Sequence, residues 1–170
     1  MKFNETLYAV IESMIVVMLS YLAGYYFTGI FHSATAEAGG LWAAISGVFV
    51  ISDKHNATLK SSRVRVLGSF IGCLISGVYL YFFKFSVLGF GACIGVGVVI
   101  CKLLRIPDHL KVTGITISVV IIISLEFHDL PAFMNAALRF SESVIGTLIA
   151  YLIAQIGGRI EMEKPLPSPQ

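Results

Sequence analysis

Apolar and polar positions alternate along this chain in long blocks: six apolar runs are separated by short polar stretches. The runs cover Leu7 to Phe31, Leu41 to Ser52, Val66 to Phe83, Ser86 to Leu104, Val112 to Phe127 and Ala132 to Gly157. The first, about 25 residues, would extend roughly 37 Å as a helix, enough to cross a bilayer with tilt. The runs are too long and too uniformly apolar for the strands of a membrane barrel. The pattern predicts an all-α polytopic membrane protein of about six transmembrane helices. The second run stands apart. It holds only about twelve apolar residues between Gly39-Gly40 and Asp53, too few to cross about 30 Å as a regular helix. A short or glycine-interrupted segment of this kind is expected where backbone lines a cavity.

Composition sharpens that reading. Of 170 residues, 56% are hydrophobic and 13% charged, against roughly 25% charged in soluble domains. A soluble domain is excluded, and no basic patch of the kind that grips nucleic acid is present. The loops are short, so residues 1–158 are expected to form one six-helix transmembrane domain. Residues 159–170, with Pro165, Pro167 and Pro169, are expected to form a disordered cytoplasmic tail. The first run is too long for a signal-peptide core and carries Glu12, so it is expected to be retained. Cys73, Cys93 and Cys101 fall inside apolar runs and predict no disulfide.

The basic residues set an orientation. Ten of the twelve Lys and Arg fall on one side of a six-span layout: Lys2, Lys54, Lys60, Arg63, Arg65, Lys102, Arg105, Lys111, Arg159 and Lys164. The alternate connections carry Lys84 and the acidic Glu37, Glu126 and Asp129. An excess of Lys and Arg marks the cytoplasmic side. Both termini are therefore expected in the cytoplasm, across a bacterial inner membrane.

A weak internal repeat is also present. Leu67-Gly68-Ser69-Phe70-Ile71-Gly72 aligns with Ile145-Gly146-Thr147-Leu148-Ile149-Ala150, and Ala44-Ile45-Ser46 aligns more loosely with Gly114-Ile115-Thr116. Two three-helix units must lie in opposite orientations, because three is odd. The expectation is a pair of inverted repeats with a site between the halves. Gly68, Gly72, Gly91, Gly95 and Gly146 sit at the small-xxx-small spacings that let helices approach closely.

Charges inside the apolar runs are the candidate chemistry. Arg139 and Glu142 are spaced i and i+3 in the sixth run, on one helix face. Arg63 and Arg65 stand where the third run enters the membrane, Lys60 just before them, and Glu12 lies in the first run. A charge at the bilayer centre costs roughly 2.5–3.5 kcal/mol on insertion scales, so each should face protein or water. Guanidiniums remain charged and grip carboxylates with paired hydrogen bonds. Arg65, Arg139, Lys60 and Arg63 are candidates for an anion path. Trp42 is a candidate stacking surface or interface anchor, and Glu12 and Glu142 are candidates for proton coupling. Glu126, His128 and Asp129, with His32 and Glu37, are the one cluster with metal-binding residue types. Their spacing matches no ligand motif, so no metal or cofactor is expected. No Gly-Lys-Ser or Gly-Lys-Thr phosphate loop occurs, so direct ATP hydrolysis is not expected. The outer acidic cluster is read as solvated loop residues, so no enzyme is expected.

Three stretches together resemble a known family. They are Leu41-Trp42-Ala43-Ala44-Ile45-Ser46-Gly47-Val48-Phe49-Val50, Ala57-Thr58-Leu59-Lys60, and Arg65-Val66-Leu67-Gly68-Ser69-Phe70-Ile71-Gly72. They resemble the fusaric acid resistance, or aromatic acid exporter, family, with Ser69 at a usual Thr. Arg139-Phe140-Ser141-Glu142-Ser143-Val144-Ile145-Gly146 resembles that family's second motif, and the membrane region of plant aluminium-activated malate channels is similar. The resemblance covers about residues 10 to 157. It implies export or passive conduction of small organic, often aromatic, carboxylate anions. It implies roles for Lys60, Arg65, Gly68 and Gly72 in the first motif, and for Arg139, Glu142 and Gly146 in the second. Many members of the family add a cytoplasmic domain or a second membrane half. The expectation here is a homo-oligomer, a dimer being favoured, or an unseen membrane partner. The competing reading is a non-transporting scaffold or regulatory subunit.

Overall fold

The computed structural model describes residues 3–51 and 55–162. Lys2, Lys54, Lys164 and the expected tail from residue 163 lie outside the described residues. The chain is all-helical: α1 (Phe3–Phe31), α2 (Ala36–Val50), α3 (His55–Phe82), α4 (Val87–Leu103), α5 (Leu110–Glu126) and α6 (Ala132–Met162), with 3-10 turns at Ser33–Thr35 and Pro107–His109. Among the described residues, four stretches are long and apolar enough to cross a membrane: Leu7–Phe31, Thr58–Phe82, Pro107–Glu126 and Ala132–Ile156. At 17 and 15 residues, α4 and α2 reach only about 25 and 22 Å.

Two boundaries differ from the sequence reading. α3 starts at His55, so Lys60, Arg63 and Arg65 lie within a helix rather than before one. α6 runs on to Met162. A larger difference concerns α2, where irregular backbone was expected. It is one continuous helix, with Gly39 and Gly40 inside it. Those glycines are there for close approach: a Cβ at Gly40 would lie 2.9 Å from the Tyr21 ring of α1, and one at Gly39 would overlap Thr28. Two adjacent glycines cost a helix roughly 2 kcal/mol of propensity, and burial against α1 offsets this.

The packing has a recognisable order. α2 lies against α1 and α6, and α3 lies against α5 and α6, so α3 and α6 form the centre. Glycines set both outer contacts. A Cβ at Gly146 of α6 would collide with the Ala43 carbonyl of α2. One at Gly68 or Gly72 of α3 would come within 2.9 Å of Val112 or 2.8 Å of the Thr113 carbonyl on α5. α4 is peripheral. Gly91 and Gly95, expected to pack helices, instead face away from the rest of the chain, and a Cβ at either meets nothing within 4 Å. The reason is rotational: α4 turns Cys93, Gly97 and Cys101 inward, which puts residues 91 and 95 on its outer side. Ser86 caps α4 by accepting from the Gly89 N–H at 3.0 Å. The three cysteines are buried free thiols.

Candidate functional site

Where α2, α3 and α6 meet lies a band of buried polar side chains. At its centre stands Trp42, 3% exposed. Its indole N–H donates to the Arg139 carbonyl at 2.9 Å. Its ring lies 4.6 Å from the Arg65 guanidinium carbon, and the Phe49 ring lies 5.0 Å away. A guanidinium so placed gains from ring quadrupoles, by about 2 kcal/mol when desolvated. Trp42 thus touches Arg65 with its ring face and the backbone of a second buried cation, Arg139, with its edge.

The cations differ in their partners. Arg65 is 1% exposed and has no carboxylate partner among the described residues. One of its terminal nitrogens donates to Ser46 Oγ at 2.8 Å, and Nε and the other terminal nitrogen have no acceptor. Ser46 continues a hydroxyl chain. Its Oγ lies 3.0 Å from Ser143 Oγ, which lies 2.8 Å from Ser69 Oγ, and Thr116 Oγ1 donates to Ser69 at 3.4 Å. One helix each supplies Ser46, Ser69 and Thr116, and α6 supplies Ser143, so the chain ties α2, α3, α5 and α6 together. Arg139 instead pairs with Glu142, nitrogen to Oε1, at 2.8 Å. Thr28 of α1 donates to the same oxygen at 2.5 Å.

Arg65 also reaches the edge of the fold. It lines a cleft of about 260 Å³ with Phe49, Lys60, Ser61, Val64 and Val112. Lys60, at the mouth, forms an exposed ion pair with Asp108 at 3.2 Å. Such a pair contributes at most about 1 kcal/mol and exchanges readily with an ion from solution.

Five of the sequence-derived candidates thus fall in one region: Arg65 and Lys60 line the cleft, Trp42 stacks on Arg65, and the Arg139–Glu142 pair lies on the helix whose backbone Trp42 bonds. Two do not. Arg63 is exposed on another side of α3, because two residues along a helix is a turn of about 200°. Glu12 and Thr28 of α1 are sixteen positions apart, about 24 Å along a helix, so Glu12 is remote from Glu142. The outer acidic cluster reduces to His32, whose Nε2 lies 3.2 Å from Asp129. No group of three metal-ligating side chains occurs among the described residues. The hydroxyls of Thr28, Ser46, Ser69, Thr116 and Ser143 were not singled out by the charge pattern. The signal that could have found them is their recurrence on the glycine-rich faces.

A family model described as fusaric acid resistance protein-like matches residues 15–153. The chain belongs to that family. That family is a membrane transport family, not an enzymatic one. The match spans every residue of the polar band, from Thr28 to Thr147. No curated protein and no solved structure matches the chain.

Proposed function

We propose that this fusaric acid resistance protein-like chain is an exporter or channel for small organic carboxylate anions, aromatic ones among them, in a bacterial inner membrane. In this reading all six helices cross or enter the bilayer as two inverted three-helix units, with both termini in the cytoplasm. The matching use of Gly146 against α2 and of Gly68 and Gly72 against α5 supports the inverted arrangement. The short α2 and α4 complete it, α2 being sheltered by protein on most sides.

The observation that carries the reading is Arg65. A buried guanidinium without a carboxylate partner is costly, and here two N–H-bearing nitrogens lack acceptors beside a cleft that opens past Lys60. That arrangement suits a carboxylate: paired hydrogen bonds from Arg65, with Phe49, Val64 and Val112 against the apolar part of the anion. Lys60 attracts the anion to the mouth, and Asp108 is exchanged for it. The path would continue past Trp42 to Arg139.

Anion flux in liposomes containing the purified chain tests this, with 4-hydroxybenzoate and malate as probes and protein-free liposomes as the baseline. Flux should be saturable or conductive. Arg65→Ala should weaken apparent affinity about tenfold to a hundredfold, the value of one charge-assisted hydrogen bond. Well-folded wild-type protein that carries neither anion would defeat the proposal. It would turn attention to a scaffold role, in which the outward face of Gly91 and Gly95 seats a membrane partner.

A further inference from the structure

The ion pair on α6 is built differently from a pair that only holds helices together. Arg139 and Glu142 are both fully buried, yet they meet through a single oxygen. Glu142 Oε2 has no donor, and none of the three Arg139 guanidinium nitrogens has a hydrogen-bond acceptor among the described residues, the one facing Oε1 making a charge contact only. A buried structural pair is expected to be bidentate or to have its remaining atoms satisfied. Here the guanidinium retains unpartnered N–H groups and the carboxylate a free oxygen. The pair lies near Arg65: Trp42 bonds the Arg139 carbonyl by its edge and stacks on Arg65 by its face, and Cys73 feels Arg65, Arg139 and Glu142 alike.

We propose that Arg139 is a second anion site which Glu142 fills as a built-in ligand, and that a proton on Glu142 opens it to a carboxylate from solution. This inference rests on the anion-path reading above. The groups around Glu142 leave few alternatives. α6 presents Arg139, α3 presents Arg65 and Cys73, α1 presents Thr28, and α2 presents Gly39 and Trp42. The inward residues of α5 are uncharged, and its Lys111 and Glu126 lie at its two ends. A guanidinium keeps its charge at any working pH, whereas a carboxylate can be neutralised. Glu142 is thus the one group here whose charge a proton can cancel.

The balance is simple. One proton taken from water by Glu142 turns a neutral pair into a site of charge +1. The new O–H donates to Thr28 Oγ1, since a hydroxyl both gives and accepts. Arg139 has then lost its counter-ion, and one incoming carboxylate replaces it. Loss of the proton restores the Glu142 charge and expels the anion. Proton and anion are therefore taken up together, one for one, and acid opens the site.

The test uses the full chain in liposomes and in detergent, with 4-hydroxybenzoate as the probe. The emission of Trp42, the single tryptophan, serves as a binding signal. Wild-type flux above the protein-free baseline should rise from about pH 8 to about pH 6, as expected where a proton completes the site. Glu142→Gln should carry the acid level of flux at both pH values, and its Trp42 emission should respond to the anion at pH 8. Thr28→Val leaves every charge in place and removes the hydrogen bond that Thr28 shares with Glu142. It should shift the pH profile. A Glu142→Gln protein with the wild-type pH profile, or with no anion-dependent Trp42 signal, overturns the inference. So does an unshifted Thr28→Val profile. If Arg65→Ala weakens apparent affinity as expected while Glu142→Gln keeps the wild-type profile, the anion path stands and only the built-in ligand is lost.

Discussion

At the scale of single residues, Trp42 organises the site. One side chain holds Arg65 by its face and the α6 backbone by its edge. Trp42→Phe keeps an aromatic face and removes the N–H, so it should lower stability by about 1 kcal/mol, read as a modest fall in melting temperature in detergent. Trp42→Leu removes the ring as well and should cost more and weaken anion binding. The charged and aromatic members of the band were legible in the sequence, because Arg65, Arg139, Glu142 and Trp42 each interrupt an apolar run. The hydroxyls were not. A lone Ser or Thr in an apolar helix satisfies itself on the carbonyl one turn back, as Ser46 does on Trp42 and Thr116 on Val112, so it carries no tell-tale cost. Only the folded arrangement shows that these groups also face one another.

Between elements, glycine decides how close helices come. Gly146→Ala drives a methyl group into the α2 backbone at Ala43, and no rotamer change can relieve that. A loss of several kcal/mol is expected at this contact, where overpacking ordinarily costs about 1–3 kcal/mol. Gly95→Ala meets open space and should be neutral or stabilising for the isolated chain, by up to about 1 kcal/mol of helix propensity. Thermal melts of the two variants side by side would check both. The sequence treated these glycines alike, since spacing is the same at Gly91-x-x-x-Gly95 and Gly68-x-x-x-Gly72. What separates them is the rotation of α4 about its own axis, which depends on contacts made by Cys93, Gly97 and Cys101 elsewhere. The start of α3 was hidden for a related reason. Its first turns are polar, so hydrophobicity begins only after Arg65, ten residues into the helix.

For the molecule as a whole, the six elements and their order were readable from the alternation of apolar and polar blocks, because backbone in a bilayer has few options other than helix. Which helices form the centre was not readable, since every run is similarly apolar. α3 and α6 form it, and α4 stands at the rim. Hydrogen exchange should reflect this: amides of α4 should exchange faster than those of α2, although α2 is the shorter helix, because exchange follows local packing. The opposite order would mean that α4 is covered by another chain.

The length of α2 carries one more consequence. Leu41, Ile45, Val48 and Phe49 are half-exposed along its outer flank, and about 22 Å of helix cannot match about 30 Å of hydrocarbon. In the proposed six-span arrangement lipid would thin against that flank, and water would approach the polar band from both ends. The transmembrane voltage would then fall across a compressed layer around Trp42. An elementary charge moved through the full potential is worth about 2.3 kcal/mol per 100 mV. An anion stepping only the short distance from Arg65 to Arg139 would collect a large share of that energy, so its movement here would be strongly voltage-dependent.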